Sequence, residues 1–329
     1  MGKAFELALV DIDKTYGKGT IMKCTEKPQV MEVVASGSLA LDIALGVGGY
    51  PKGRIVEIIG WESSGKTTLA LHALAEAMAT NKECLCAFVD AEHALNLGYA
   101  EAIGVDLDRL YICQPDNGEQ GLEVTEKLIR SGECAMVIVD SVAALTPQAE
   151  INGDMGDAQM GLQARLMGQA MRKLTGITKK SETILVFTNQ FRDKIGVTWG
   201  DSRTTPGGNA LKFYASIRME VTRTTTNKDG DNQAKSNRTR VKVIKNKVAP
   251  PYRECEFDIL YGVGIDKFSE IVDMGVTHNL IKKSGSWFSY GETKLGQGKD
   301  AVCALLKDNP ELVSELDMKI KDILFEVEN

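Results

Sequence analysis

Short apolar runs alternate with longer segments of helical periodicity through the middle of the chain. Uninterrupted apolar runs are typical of strands that a parallel sheet buries on both faces. The runs are bounded by glycine, aspartate or asparagine and cover residues 54–60, 84–90, 136–140 and 183–189. Helices are predicted between them at residues 67–79, 118–131 and 160–179. This alternation indicates a doubly wound α/β core with a mixed, mostly parallel, twisted sheet.

A separate helical arm is predicted at the start of the chain. Phe5, Leu9 and Ile12 are spaced as residues on one face of a helix, which we place over residues 3–16. The glycines at 17 and 19 end it. We expect an arm of residues 1–30 rather than a domain.

The pattern changes again after residue 214. Three further strands are predicted at residues 215–222, 239–247 and 254–260. The polar residues 224–237 between the first two read as a hairpin loop. Beyond residue 264 we predict a helix, a short β segment and two more helices, at 265–274, at 287–290 and toward the end of the chain. The core is therefore expected to span residues 31–263, and a small C-terminal α/β domain residues 264–329.

The composition narrows the function classes. The 329 residues carry a formal net charge of −6, so a nucleic-acid surface would need locally clustered basic residues. Such clusters occur within residues 165–180, 192–203 and 238–247, although a solvated face gives the same pattern. No apolar run reaches the ~20 residues that cross a bilayer, and no secretory signal is evident, so we expect a cytoplasmic protein. Seven cysteines without a C-x-x-C pair indicate neither a zinc site nor a disulfide framework.

The strongest local signal is a phosphate-binding loop that fits G-x-x-x-x-G-K-[ST] at every fixed position. A predicted strand precedes it and a predicted helix follows. The loop and the next residue read Gly60-Trp61-Glu62-Ser63-Ser64-Gly65-Lys66-Thr67-Thr68. Its glycines let the backbone N–H groups surround a phosphate, and the helix N-terminus adds partial positive charge. Lys66 would reach the β- and γ-phosphates of ATP, and Thr67 would place a hydroxyl on Mg²⁺.

Polar residues end three other predicted strands, at the sheet edge where ligands bind in open α/β folds. Asp140 would help to hold Mg²⁺, although many core strands end in aspartate. Glu92 would activate the water that attacks the γ-phosphate, or is a surface acid or helix cap. Gln190 would contact the γ-phosphate and move the loop after it, or is a plain polar strand end.

Several longer stretches together resemble the bacterial RecA recombinases. They are residues 53–69 (GRIVEIIGWESSGKTTL), 88–95 (FVDAEHAL), 139–147 (VDSVAALTP), 160–174 (MGLQARLMGQAMRKL), 189–197 (NQFRDKIGV), 207–216 (GGNALKFYAS) and 240–247 (RVKVIKNK). Similarity over nearly the whole chain, in the family's order, is more specific than a phosphate-binding loop alone. It implies a RecA-type ATPase core with ATP and Mg²⁺ as cofactors.

The resemblance assigns roles that spacing cannot show. Tyr99 matches the aromatic residue that stacks on adenine, and Gln190 the γ-phosphate sensor. Lys66, Thr67, Asp140 and Glu92 match the family's ATPase residues. Lys245 and Lys247 match lysines that reach a neighbouring subunit's ATP, whereas spacing alone would make them a solvated strand face. Phe213 matches an interface residue that relays the ATP state, or is an ordinary core aromatic.

Two segments resemble the family's DNA loops, at about residues 150–160 and 191–206. Glycines with basic side chains suit mobile loops that follow a phosphate backbone. The DNA-binding residues expected from both loops are Arg165, Arg172, Arg192, Lys194, Arg203, Gly207 and Gly208. By resemblance the arm docks on the next protomer, giving an open helical filament. The implied partners are single-stranded and duplex DNA, other copies of the chain, a LexA-like repressor, and single-strand-binding or loader proteins.

Some positions depart from the family pattern. Trp61 stands where the family usually has proline, and we expect altered packing there with the side chain away from the phosphates. Asn96-Leu97-Gly98 replaces the usual Asp-Pro-bulky run beside the adenine, which bears on nucleotide affinity. The long acidic tail of many relatives is missing after Asn329, from which we expect less restrained entry of duplex DNA.

Two other function classes remain open on the sequence. A ring-shaped motor with the same core, such as a hexameric helicase or a RadA-like branch-migration protein, would share the ATP residues. A non-catalytic filament scaffold would share the fold, but the intact Lys66, Thr67, Glu92 and Asp140 count against it.

Overall fold

A computed structural model of the chain describes residues 2–18, 20–21, 23, 31–154, 161–193, 202–228 and 234–326. The chain divides into two compact units, residues 1–32 and 33–329. The described helices are α1 (Lys3–Tyr16), α2 (Leu39–Leu45), α3 (Lys66–Thr80), α4 (Leu97–Ile103), α5 (Gly118–Ser131), α6 (Gln148–Ile151), α7 (Leu162–Ser181), α8 (Ala210–Tyr214), α9 (Lys267–Thr277), α10 (Lys299–Lys307) and α11 (Pro310–Glu326).

The described strands include five short ones of two residues, which lie outside the main sheet or at its edge. The strands are β1 (Val33–Val34), β2 (Tyr50–Pro51), β3 (Ile55–Gly60), β4 (Leu85–Asp90), β5 (Leu110–Cys113), β6 (Cys134–Asp140), β7 (Ile184–Gln190), β8 (Arg192–Asp193), β9 (Arg203–Thr204), β10 (Ile217–Lys228), β11 (Ala234–Asn246), β12 (Glu254–Leu260), β13 (Gly264–Ile265), β14 (Ile281–Ser284), β15 (Trp287–Tyr290) and β16 (Thr293–Gln297).

The N-terminal unit contains α1, which has the predicted bounds. Phe5 is 50% exposed and Tyr16 is 75% exposed, and no residue of this helix is buried. The helix ends at Gly17, whose φ of 95° stops the helical backbone. The described residues of this unit therefore leave the apolar side chains of the helix exposed.

The core is one mixed sheet, which in the described residues has nine strands in the order β13-β12-β11-β10-β3-β7-β6-β4-β5. The six strands from β10 to β5 pair in parallel, and β10 to β13 continue the sheet in antiparallel pairs. This confirms the predicted fold class of a mixed, mostly parallel sheet. Because β3 lies inside the parallel part, its carboxyl end is flanked by those of β7 and β10.

Two hydrophobic cores lie on the two faces of the sheet. In β6, Met136 and Ile138 belong to the core that packs on α3, whereas Val137 and Val139 belong to the core that packs on α5 and α7. All four side chains are fully buried. The alternation of side chains along a strand thus explains why β6 is apolar throughout.

The hairpin of β10 and β11 runs further than the sequence predicted. We expected residues 224–237 to be a loop, but the two strands pair as far as Lys228 and Ala234. Threonine favours extended backbone, and Thr226 donates its hydroxyl to Asn237 Oδ1 across the hairpin at 3.1 Å. The prediction of a loop from polar residues alone therefore placed the ends of these two strands wrongly.

The C-terminal part has its own core behind a three-stranded antiparallel sheet, β14-β15-β16. Only β15 was predicted from the sequence. The helix α9 begins after Asp266, whose side chain caps it by accepting a hydrogen bond from Ser269 N at 3.1 Å. It therefore starts two residues later than the predicted helix. Among the described residues, no helix is both long and apolar enough to cross a membrane.

Candidate active site

The predicted phosphate-binding loop joins β3 to α3. Gly65 ends the loop with φ 100°, and a Cβ at this position would lie 2.7 Å from Ile259 Cδ1. The positive φ favours glycine, and any larger residue would also have to displace the tip of the Ile259 side chain. The hydroxyl of Ser64 is buried in the loop and has no hydrogen-bond partner. A buried hydroxyl normally has a hydrogen-bond partner, so this atom indicates room for a polar ligand inside the loop.

Lys66 is the first residue of α3 and is 8% exposed. Its ammonium group donates a hydrogen bond to the Trp61 carbonyl at 2.8 Å. Burial lowers the pKa of Lys66, while the negative charges of Asp140 and Glu92 oppose that shift. The loop thus holds a cation that can neutralise an anionic group beside it.

Asp140 ends β6 and lies against the start of α3. Its carboxylate accepts hydrogen bonds from Thr67 Oγ1 at 2.6 Å and from Thr188 Oγ1 at 2.5 Å. Burial raises the pKa of Asp140, and these two hydrogen bonds lower it. The sequence analysis placed Thr67 and Asp140 at one Mg²⁺ site, but it did not predict the contact of Asp140 with Thr188.

The residues that could hold Mg²⁺ are Thr67 and Asp140. Magnesium is commonly bound by one or two carboxylates and takes its remaining ligands from water and substrate phosphates. No cluster of three or more His, Cys, Asp or Glu suited to a metal occurs within the described ranges. A hydroxyl and a carboxylate in contact beside the phosphate-binding loop therefore fit a metal shared with a phosphate ligand.

Glu92 follows β4 at the same sheet edge and is exposed. Its Oε1 accepts hydrogen bonds from Ser141 Oγ at 2.5 Å and from Gln190 Nε2 at 2.8 Å. Three predicted strand-end residues, Glu92, Asp140 and Gln190, therefore lie together at the carboxyl ends of β4, β6 and β7. Ser141 was not predicted, since nothing in the sequence marks it.

A cavity of about 670 Å³ opens beside the phosphate-binding loop, with Tyr99 in its wall. The Tyr99 hydroxyl lies 3.2 Å from Thr68 Oγ1, and burial raises the pKa of this phenol. Asn96 accepts a hydrogen bond from Tyr99 N at 3.0 Å and so caps the helix that carries the ring. The departure at Asn96 therefore supplies the helix cap at this position.

The far wall of the cavity was missed by the sequence reasoning. It includes Arg223 from β10, Asn237 from β11 and Tyr261, which directly follows β12. Tyr261 is 46% exposed and donates its hydroxyl to Asn237 Oδ1 at 2.6 Å. The sequence marks Tyr261 only as an aromatic residue before Gly262. That pattern is too common at strand ends to predict a cavity wall.

Trp61 packs on the first residue after β7. Its ring lies 5.7 Å from the ring of Phe191, centroid to centroid, and the Trp61 side chain is 45% exposed. The guanidinium of Arg203 lies 4.8 Å from the Phe191 ring centroid and also pairs with Glu220. The altered packing expected at Trp61 is thus a contact with the start of the second predicted DNA loop.

The other predicted DNA-binding residues lie on α7, on β8 and beyond the described residues. Arg165 and Arg172 are exposed and seven residues apart on α7, which places them on one helix face. Arg192 is exposed on β8, and its guanidinium donates to the Phe191 carbonyl at 3.4 Å. Lys194 lies outside the described residues. These DNA contacts stay predictions.

The two lysines predicted to act on a neighbouring subunit meet at α8. Lys245 Nζ donates to the carbonyls of Lys212 at 2.6 Å and Phe213 at 2.9 Å, and Lys247 Nζ donates to Phe213 O at 3.1 Å. The Phe213 side chain itself is 73% exposed, so it is no core aromatic within this chain. Burial and the charge of Lys247 lower the pKa of Lys245 to about 8.

Comparison with known proteins gives matches over nearly the whole chain. The RecA N-terminal domain matches residues 3–266 and the RecA C-terminal domain residues 269–324. The chain is 56% identical over 323 residues to Protein RecA of Porphyromonas gingivalis, covering 98% of this chain and 94% of the relative. It is 56% identical over 323 residues to Protein RecA of Bacteroides thetaiotaomicron (98% and 97%) and 57% identical over 320 residues to that of Caulobacter vibrioides (97% and 89%). This chain belongs to the RecA family.

Proposed function

We propose that the protein is an ATP-driven recombinase that assembles on single-stranded DNA and exchanges the strand with a homologous duplex. The observation that carries the proposal is the contact between Gln190 and Glu92, since it joins the expected water-activating carboxylate to the segment that leads into the second DNA loop. Membership of the RecA family supports the same assignment.

In the proposed reaction, Glu92 accepts a proton from water while the water oxygen attacks the γ-phosphorus and the bond to the β-phosphate bridging oxygen breaks. Lys66 neutralises charge on the phosphates, and the side chains of Thr67 and Asp140 would hold Mg²⁺, which supplies further charge neutralisation when bound. Tyr99 stacks on the adenine ring. Gln190 contacts the γ-phosphate and changes its contact with Glu92 when phosphate leaves.

Assembly is proposed to complete the site. Lys245 and Lys247 would reach the ATP of the adjacent protomer, as an arginine finger does, so that hydrolysis requires a neighbour. The exposed Phe213 and the uncovered apolar face of α1 are surfaces that head-to-tail contact would bury. Such contact, repeated without closure, gives a helical filament on DNA.

Three further parts of the proposal rest on the sequence pattern or on the family resemblance. The domain division is residues 1–30, 31–263 and 264–329. The protein acts in the cytoplasm. The filament stimulates self-cleavage of a LexA-like repressor and works with single-strand-binding or loader proteins.

The test is ATP hydrolysis with and without single-stranded DNA. We expect strong stimulation for the native chain and none for Lys66→Ala, whereas Lys307→Ala, an exposed lysine on α10, serves as a matched control and behaves as native. Equal hydrolysis without DNA would contradict the recombinase assignment. Closed rings in electron micrographs would favour the ring motor instead, and absence of hydrolysis in the pure native protein would favour a scaffold.

A further inference from the structure

The exit of the second predicted DNA loop is held directly against the core. Gly207 has φ 81°, and a Cβ there would lie 2.7 Å from Val142 Cγ1 and 3.2 Å from Met167 Cγ. Its backbone N–H donates a hydrogen bond to Gln163 Oε1 at 3.1 Å. The position of this exit therefore depends on Val142 and on the side chain of Gln163.

The other end of the same amide holds the turn that follows the Asp140 strand. Gln163 Nε2 donates to the carbonyls of Val142 at 2.8 Å and Leu145 at 3.3 Å. These carbonyls belong to the tight turn that begins after Ser141. Both the donor and the acceptor of the Gln163 side chain are thus used. They join the turn at Val142 and Leu145 to Gly207, which lies far along the chain from that turn.

The turn held by Gln163 is itself part of the ATP site. Asp140, which precedes it, accepts the hydrogen bond from Thr67, and Ser141 donates to Glu92. A path of direct contacts therefore runs from Glu92 through Ser141 and the turn to Gln163, and from there to Gly207. It ends at the exit of the second loop, whereas Gln190 connects Glu92 to the entrance of that loop.

Gln163 also follows the first predicted DNA loop closely in the chain. It is the second residue of α7, the helix into which that loop leads and which carries Arg165 and Arg172. A shift of the turn after Asp140 would therefore be passed to the start of α7 and to Gly207 by the same side chain.

We propose that Gln163 is a positioning residue that makes the grip on single-stranded DNA depend on the bound nucleotide, by tying the turn after Asp140 to both DNA loops. The inference rests on the proposed function. It adds a second connection, independent of Gln190, between the ATP site and the second loop. Because one side chain serves both loops, they respond to nucleotide together.

The test measures binding of a fluorescein-labelled oligothymidine by anisotropy, with ADP and with a non-hydrolysable ATP analogue, each with magnesium. The readout is the ratio of the two dissociation constants. In Gln163→Ala we expect this ratio to fall about fivefold or more, since couplings between sites are typically of that size. Gln163→Glu should lower it as well, because a carboxylate cannot donate to the carbonyls of Val142 and Leu145.

Two controls distinguish the proposed positioning role of Gln163 from a purely structural role. Alanine and glutamate both favour helix, so α7 should persist in both variants, which circular dichroism and affinity for a fluorescent ATP analogue will report. Gln169→Ala removes an exposed glutamine from the same helix and should leave the ratio unchanged.

The outcomes separate the inference from the proposed function. If the native protein shows nucleotide-dependent DNA binding and both Gln163 variants keep its ratio, the role of Gln163 is wrong and the recombinase assignment stands. If the native protein binds the oligonucleotide equally with both nucleotides, or ignores it, the proposed function and the inference fail together.

Discussion

Gln190 donates its side-chain amide to Oε1 of Glu92 at 2.8 Å, although the two residues are 98 positions apart in the chain. Parallel pairing explains the meeting, because β4, β6 and β7 are neighbours and end at one edge of the sheet. The residue expected to activate water and the one that precedes the second predicted DNA loop are therefore in direct contact. Ser141 donates to the same carboxylate oxygen from the strand between them.

Gln190→Glu should uncouple hydrolysis from DNA. A second carboxylate beside Glu92 replaces an attractive hydrogen bond with repulsion between like charges. We expect the DNA-stimulated rate to fall at least about tenfold, as when a group that stabilises a transition state is lost, with ATP affinity retained. Steady-state hydrolysis with and without single-stranded DNA measures both rates. A variant with native stimulation would show that this contact has no part in coupling.

Trp61 and Phe191 should be energetically coupled. Aromatic pairs in tilted contact contribute about 0.5–1.5 kcal/mol beyond burial. A double-mutant cycle of Trp61→Ala and Phe191→Ala in urea unfolding should give a coupling free energy of that size. Trp287→Ala, at a tryptophan that is 50% exposed, is the control, and its effect should add independently to that of Phe191→Ala. Strict additivity for Trp61 as well would mean that the ring contact contributes nothing.

Hydrolysis by the assembled protein should weaken in alkaline solution. Burial and the neighbouring charges of Lys247 and Arg218 lower the pKa of Lys245 to about 8, so its positive charge is lost as the pH rises through that value. If the charge acts on ATP, the rate falls between about pH 7 and pH 9, whereas Lys245→Arg, which stays charged, holds its rate. The ratio of DNA-stimulated rates at the two pH values is the measurement. Parallel decline of both proteins would contradict a role for this charge.

Stability should fall with rising pH because of a buried acid between the core and the C-terminal part. Burial raises the pKa of Asp42 to about 7, with Glu76 and Glu270 nearby and Lys321 opposing. The folded state therefore keeps a proton that the unfolded chain releases above about pH 4, and the stability that this proton provides is lost between about pH 4 and pH 7.

The melting temperature of Asp42→Asn relative to the native protein measures this effect. Asparagine keeps an acceptor for the Ser36 backbone N–H, which bonds to Asp42 Oδ1 at 2.8 Å. The melting temperature of the variant should increase relative to that of the native protein as the pH rises from about 5 to about 8. Asp308→Asn, at an exposed aspartate, should show no such trend. A pH-independent difference for Asp42→Asn would show that the pKa of this carboxyl is the same in the folded and the unfolded protein.

The sequence predicted the parts of the site that local chemistry dictates. A phosphate-binding loop needs its glycines, lysine and threonine at fixed spacing, and parallel strands bring their terminal residues to one edge, so Lys66, Asp140 and Glu92 were found together. Gln163 could not be found that way. Its role depends on contacts with Val142 and Gly207, which only the packing of α7 against the sheet creates.

The fold was predictable where burial is strong and less so where the chain is polar. The buried strands β3, β4, β6 and β7 were placed within two residues at either end. The outer ends of β10 and β11, and the strands β14 and β16, carry mostly polar side chains, and their backbone is fixed by cross-strand hydrogen bonds instead. No hydrophobic pattern reports such bonds.

The strand β6 separates the two hydrophobic cores with alternate side chains, and its last residue is Asp140. A slip of one residue would exchange those faces and turn the carboxylate away from Thr67. The direction in which Asp140 presents its carboxylate is thus set by the packing of the apolar side chains that precede it in β6. Core substitutions that repack Val137 or Val139 are therefore expected to shift the Asp140 carboxylate relative to Thr67.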